Sequence, residues 1–264
     1  MPVLEDMVCV LVGGGGGIGA ATARAYGEAG ARVVVADLNG DAAEAAAASV
    51  RELGGQAWSS RLDVLAPGEV DALVEEVAAR HGRLDVFHNL TSTTVLAPSV
   101  DLAMDDFRKV FEATVLGQFA GAQAAARQMI ASATPGSIIN MSSIGGHGGL
   151  PRRAAYTASA AAIVNLTKTL AVEWAPHGIR VNAIAPAWVL TDALRGYNES
   201  FPGVLDFEAL KERIPLGRFG EVDEIASIAL FLASDASSFV TGTTILADGG
   251  VTAYIGPGGR PSEQ

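Results

Sequence analysis

Five consecutive glycines, Gly13 to Gly17, followed by Ile18 and Gly19, constrain this chain more than any other stretch. Glycine runs also mark flexible linkers, so the frame around them decides the reading. Before the run stands Val8-Cys9-Val10-Leu11-Val12, a short unbroken apolar segment of the kind a parallel strand buried on both faces needs. After it comes a helical stretch, Ala20 to Glu28, stopped at Ala29-Gly30, and then a second apolar run, Arg32 to Ala36, that ends on Asp37. Strand, glycine turn, helix and strand in that order make a βαβ unit.

The turn has specific physics. Missing side chains let the backbone approach a pyrophosphate, the N–H groups at the helix start supply donors, and the helix dipole favours negative charge. Gly13, Gly17, Ile18 and Gly19 are the candidate cradle. Asp37, about twenty residues after the turn, can accept hydrogen bonds from an adenosine ribose. The alternative for Asp37 is a capping role on the next helix.

Composition narrows the function. Asp and Glu outnumber Lys and Arg by 29 to 18, a net charge of −11, which disfavours nucleic-acid or anionic-membrane surfaces and suits a small-molecule enzyme. At 264 residues the chain suits one large domain. Cys9 is the single cysteine, so no intramolecular disulfide forms, and it reads as a small buried hydrophobe. Neither a signal segment nor an apolar run near the roughly 18 residues of a membrane span is evident, so a soluble, cytoplasmic protein is expected.

Strand and helix patterns then alternate. Helices are expected over Asp41–Leu53, Val70–His81, Met104–Met129, Tyr156–Trp174 and Glu221–Leu232, and strands over Gln56–Leu62, Leu84–His88, Ser137–Met141, Ile179–Ile184 and Thr244–Leu246. The spacing gives an α/β fold, a three-layer doubly wound parallel sheet. One domain spans 1–255, with a flexible tail over 256–264.

With these segments in view, the chain resembles the short-chain dehydrogenase/reductase superfamily over nearly its whole length. The resemblance rests on the glycine turn, Asp63-Val64, Ser142-Ser143, Tyr156, the run Pro186 to Thr191, and Thr241-Gly242 with Asp248-Gly249-Gly250. It implies a Rossmann sheet of about seven strands and an NAD(H)-dependent interconversion of a carbonyl and a secondary alcohol. Asp37 favours NAD over NADP by repelling a ribose 2′-phosphate, with no Arg or Lys among Gly14 to Gly16 to reverse that. Asp63 and Val64 would flank the adenine, and Asn89 and Pro186 belong to the same cofactor surface. Val189 would lie near the carboxamide and Thr191 near the phosphates. Ser143 orients the substrate oxygen, and Tyr156, thirteen residues later, is the proton donor or acceptor. Residues 191–217 form a substrate lid whose Tyr197, Phe201, Leu205 and Phe207 imply an apolar substrate face. A homo-oligomer, tetramer or dimer, built on the alanine-rich central helices is the family expectation.

The chain departs from the family pattern at five places. Val12 replaces a threonine before the first glycine, Leu90-Thr91-Ser92 replaces Asn-Ala-Gly after Asn89, and Ala187 replaces a glycine. Thr114 stands where a catalytic asparagine is usual, offering one hydroxyl in place of an amide. In the motif Tyr-x-x-x-Lys, the lysine position is Ala160.

That lysine normally holds the nicotinamide ribose and favours the phenolate of the tyrosine one turn away. A unit charge about 4 Å off is worth about 1 kcal/mol in water and about 4 at an effective dielectric near 20. Its loss should hurt alcohol oxidation, which needs a base, more than carbonyl reduction. Lys168, twelve residues past Tyr156 and roughly 18 Å along the helix, is too far to substitute. His147, in the loop after Ser143, and Arg153, just before Tyr156, are the candidates. The rival reading keeps the fold and cofactor site without ordinary hydride transfer, as a non-redox catalyst or a binding protein. No His, Cys and Asp spacing resembles a metal site.

Overall fold

The computed structural model describes residues 3–192, 194–196 and 206–254, so the tail expected over 256–264 lies outside the described residues. The first unit is β1 (Val8–Val12), α1 (Gly17–Glu28) and β2 (Arg32–Asp37), followed by α2 (Gly40–Glu52), β3 (Gln56–Arg61), α3 (Glu69–His81) and β4 (Val86–Asn89). The second half carries α4 (Met104–Phe111), α5 (Gly117–Ala131), β5 (Gly136–Met141), α6 (Ala154–Trp174) and β6 (Ile179–Pro186). It closes with β7 (Val189–Leu190), α7 (Phe207–Glu212), β8 (Gly220–Glu221), α8 (Val222–Ala233) and β9 (Thr244–Ala247).

Seven strands form one parallel sheet in the order β3-β2-β1-β4-β5-β6-β9. The winding reverses between β1 and β4, and in such sheets ligands bind beyond the carboxyl ends of the strands at that point. Strand alternation divides the core. Cys9 and Leu11 of β1 pack with α1, α2 and α8 on one face, while Val8, Val10 and Val12 pack with α3, α5 and α6 on the other. The thiol of Cys9 is fully buried, and burial pushes its pKa well up.

The long helix expected over Met104–Met129 is broken. Between α4 and α5 lies a π-helical turn, Glu112–Leu116, with Thr114 inside it. Gly117 follows because a side chain there would come within 2.7 Å of Val64 Cγ2. π-turns of this kind interrupt helices mostly at functional positions. β4 begins two residues later than expected, although the Asp85 backbone already bonds to both neighbours, donating to the Val8 carbonyl at 3.0 Å and accepting the Ser137 N–H at 2.8 Å; its carboxylate also accepts the Val8 N–H at 2.8 Å and pairs with Arg83. The two-residue pairing of β7 with β8 has no sequence signal.

Candidate active site

Two clefts meet at the carboxyl ends of β1 and β4. One, of about 440 Å³, is bounded by Gly13, Gly17, Ile18, Gly19, Met141 and Thr191. The other, of about 530 Å³, is bounded by Asp37, Asp63, Val64, Thr91, Thr93 and Lys109, and the two share Gly13 and Leu90. The expected cradle and adenine-side residues thus border one continuous channel.

The glycines are required locally. Gly13 at φ +80 and Gly17 at φ +51 occupy the left-handed region. A side chain at Gly19 would strike the Gly14 backbone at 2.7 Å, so this glycine lets α1 approach the turn. Gly16, by contrast, faces open space: among the described residues nothing lies within 4 Å of a Cβ built there. It caps α1, which has no side-chain cap and no acidic residue in its first turn. The Gly19 N–H donates to the Gly16 carbonyl at 2.9 Å, while the Gly17 and Ile18 N–H groups have no partner among the described residues and, with the positive dipole end of α1, are open to an anion.

Asp37 is held rigidly beside this space. Its Oδ2 accepts the Gly15 N–H at 2.9 Å and its Oδ1 accepts the Asn39 N–H at 3.0 Å. The cap of α2 is Asn39, which accepts the Asp41 and Ala42 N–H groups, so Asp37 is not the capping residue. Its remaining lone pairs face the channel. An open anion cradle beside a pinned carboxylate fits the pyrophosphate and adenosine ribose of a nicotinamide dinucleotide.

The two residues expected to react with substrate stand between β5 and α6 and in the first turn of α6. Ser143 stands two residues past β5 and caps the short 3₁₀ turn Ile144–Gly146; its Oγ accepts the Gly145 N–H at 3.1 Å, leaving its own O–H free to donate. Gly145 separates it from the first turn of α6: a Cβ there would lie 3.5 Å from Ser143 Oγ and 3.2 Å from Thr157 Cγ2, next to Tyr156. Tyr156 is half-buried, with the Arg153 guanidinium 5.8 Å from its ring centroid. Ser142 Oγ donates to the Ala160 carbonyl at 2.9 Å, stitching the β5 end to α6 at the position where the family has lysine. Ala160 itself is 3% exposed. His147 is exposed in the loop after Ser143.

Of the other predicted residues, Asn89, Thr114, Pro186 and Val189 are not among the residues bounding the two clefts, whereas Thr191 is. Asn89 is fully buried, its Nδ2 donating to Asn140 Oδ1 at 2.9 Å, and Asn140 donates in turn to Thr167. Thr114 Oγ1 accepts the Thr93 N–H at 3.4 Å, bracing the loop after β4. Pro186 closes β6, and Val189 opens β7, its carbonyl accepting the Thr191 N–H at 2.9 Å. Thr191 Cγ2 lies 3.1 Å from a Cβ built on Gly17, so the β7 loop covers the glycine turn. Of the expected lid aromatics and their neighbours, Tyr197, Phe201 and Leu205 lie outside the described residues. Phe207 packs edge-on against Phe219 at 5.0 Å.

One supporting residue escaped the sequence reading. Gln118 donates from Nε2 to the carbonyls of Thr91 and Met141, both at 2.9 Å, and accepts the Met141 N–H at 3.1 Å. It ties the exit of β4 to the end of β5. A fully buried glutamine beside the π-turn is the feature that marks it, and burial is not written in the local sequence.

Comparison with known proteins places this geometry. A family model described as enoyl-(acyl carrier protein) reductase matches residues 13–252. The chain is 39% identical to the D-threitol dehydrogenase of Mycolicibacterium smegmatis, covering 94% of each chain. It is 36% identical to the NAD-dependent glycerol dehydrogenase of Listeria innocua, covering 94% of this chain and 95% of the other. The crystal structure of a short-chain type dehydrogenase/reductase from Mycobacterium marinum superimposes with a TM-score of 0.88 at 36% identity, over 95% of this chain and 97% of that one. The chain belongs to the short-chain dehydrogenase/reductase superfamily.

Proposed function

We propose that the chain is an NAD(H)-dependent oxidoreductase interconverting a carbonyl and a secondary alcohol. The observation that carries the cofactor half is the open space at Gly16 beside a carboxylate fixed by the Gly15 and Asn39 N–H groups. Gly13, Gly17, Ile18, Gly19 and Thr191 would surround the pyrophosphate, Asp37 the adenosine ribose, and Asp63 with Val64 the adenine. Asn89, Pro186 and Val189 hold the backbone around them. A ribose 2′-phosphate would meet the Asp37 carboxylate, which favours NAD over NADP.

When bound, the nicotinamide supplies or accepts the hydride. The remaining work belongs to the chain. Ser143, its oxygen already accepting the Gly145 N–H, donates its O–H to the substrate oxygen and fixes its place. Tyr156 gives a proton to that oxygen in reduction and takes it in oxidation. Thr114 holds the loop after β4 through Thr93 and offers a hydroxyl to water. Ala160 leaves the family lysine's ribose contact unfilled, so cofactor affinity rests on the glycine turn and Asp37.

Short polyols are the first substrates to try, because relatives named for threitol and glycerol match nearly the full length. NADH consumption would be followed with erythrulose, dihydroxyacetone, 2-butanone and cyclohexanone. Turnover abolished by Tyr156→Phe is expected. NADH binding without turnover of any carbonyl would favour the non-redox reading, for which Ala160 is the specific ground. A homotetramer and a cytoplasmic location complete the proposal. Met104 and Leu116, exposed on the central helical stretch, support the first, and light scattering would check it.

A further inference from the structure

Arg153 precedes the first turn of α6, and its guanidinium carbon stands 5.8 Å from the Tyr156 ring centroid. The placement has a local cause. Arg152 holds φ +64, in the left-handed region, and its carbonyl accepts the Ala97 N–H at 3.1 Å. The Arg153 N–H donates to the Leu150 carbonyl at 3.2 Å. This turn delivers Arg153 three residues ahead of Tyr156, and helical side chains lean toward the N-terminus, so the ring lies over that turn. The Arg153 side chain is half-buried. It enters none of the ion pairs among the described residues, although acidic groups outnumber basic ones by 29 to 18.

We propose that Arg153 is a positioning residue for Tyr156. Its guanidinium holds the phenol ring by a cation–π contact and presents, from the N-terminal side, the positive charge that a lysine at position 160 would present from the other. The proposal rests on the oxidoreductase reading above. No proton passes through Arg153: the transfer runs between the Tyr156 hydroxyl and the substrate oxygen, and the guanidinium acts by orienting the ring and by its field. The ribose contact of the missing lysine is not replaced, since Arg153 lies on the opposite side of the tyrosine along the helix.

A double-mutant cycle separates this role from a merely structural one. The full chain, Arg153→Gln, Ala160→Lys and the double variant would be compared for kcat/KM with NADH and the carbonyl panel above. Arg153→Gln should lower kcat/KM about tenfold in the parent, through kcat rather than KM, and less than about twofold in the Ala160→Lys background. Arg153→Lys should recover part of the loss. Equal losses in both backgrounds would overturn the proposal. The contact is read without turnover by incorporating 3-fluorotyrosine and assigning the residue-156 fluorine resonance through its loss in Tyr156→Phe. That resonance should move in Arg153→Gln and stay in Arg152→Gln; an unmoved line in Arg153→Gln also overturns the proposal. If no variant turns over any carbonyl while the resonance still moves, the oxidoreductase reading has failed and the catalytic role of Arg153 falls with it.

Discussion

The Gly15 N–H donates to Asp37 Oδ2 at 2.9 Å, so the acid at the end of β2 is fastened to the glycine turn that follows β1. A Cβ on Gly15 would lie 2.9 Å from that same oxygen and 2.8 Å from Ala42 Cβ. Gly15→Ala should therefore push the carboxylate aside and weaken NADH binding at least about tenfold, or about 1.4 kcal/mol. Gly16→Ala makes the complementary test. Because nothing among the described residues lies within 4 Å of its Cβ and its φ is −159, the fold should be unaffected, while NADH affinity falls if the pyrophosphate occupies that space. Thermal denaturation and cofactor titration on both variants would check this pair of outcomes.

His88 predicts an acid-sensitive fold. It is fully buried on β4, neither ring nitrogen has a partner among the described residues, and burial pushes its pKa down to about 3. The folded state keeps it neutral while the unfolded chain takes up a proton below about pH 6.5, so stability falls as pH drops from 6.5 toward 3. The loss from this group should reach about 2 kcal/mol by pH 5 relative to pH 7. His88→Leu, close in volume, should remove that slope and stabilise the protein at neutral pH. Urea unfolding at several pH values measures both, and an unchanged slope in the variant would refute the assignment.

Gln118→Leu should cost about 3 kcal/mol, because it strands the Thr91 and Met141 carbonyls and the Met141 N–H in a buried setting. The damage should also spread to NADH affinity, since Thr91 borders the adenine-side cleft. A stability loss without any change in affinity would mean the clamp serves packing alone.

The architecture was legible from the sequence because hydrophobic periodicity and the glycine turn are local signals. β1, α1 and β2 fall within a few residues of their expected bounds. What was hidden depends on contacts far apart in the chain. The π-turn at Thr114 lies where the helix passes Val64, and the Asp85 carboxylate reaches back to the Val8 N–H and to Arg83. In the candidate site, the resemblance pointed to Ser143, Tyr156 and the absent lysine. It did not reveal that Asn89 faces Asn140 rather than the channel, or that Arg152 adopts a left-handed turn that sets Arg153 against Tyr156.

Ala160 also predicts a directional bias. With no ammonium one turn beyond Tyr156, proton abstraction from an alcohol should suffer more than hydrogen-bond donation to a carbonyl. Ala160→Lys should therefore raise kcat/KM for oxidation more than for reduction at pH 7. Equal gains, assayed with the same alcohol and carbonyl pair, would contradict the argument.

The central claim is that the unaltered chain, with alanine at position 160, binds and uses NAD(H). The most direct measurement is titration with NADH and with NADPH, followed by cofactor fluorescence, on this chain and on Ala160→Lys. Saturable NADH binding by the unaltered chain, at least about tenfold tighter than NADPH, is the predicted result. Binding of either nucleotide by the Ala160→Lys variant alone, or tighter binding of NADPH, would contradict it.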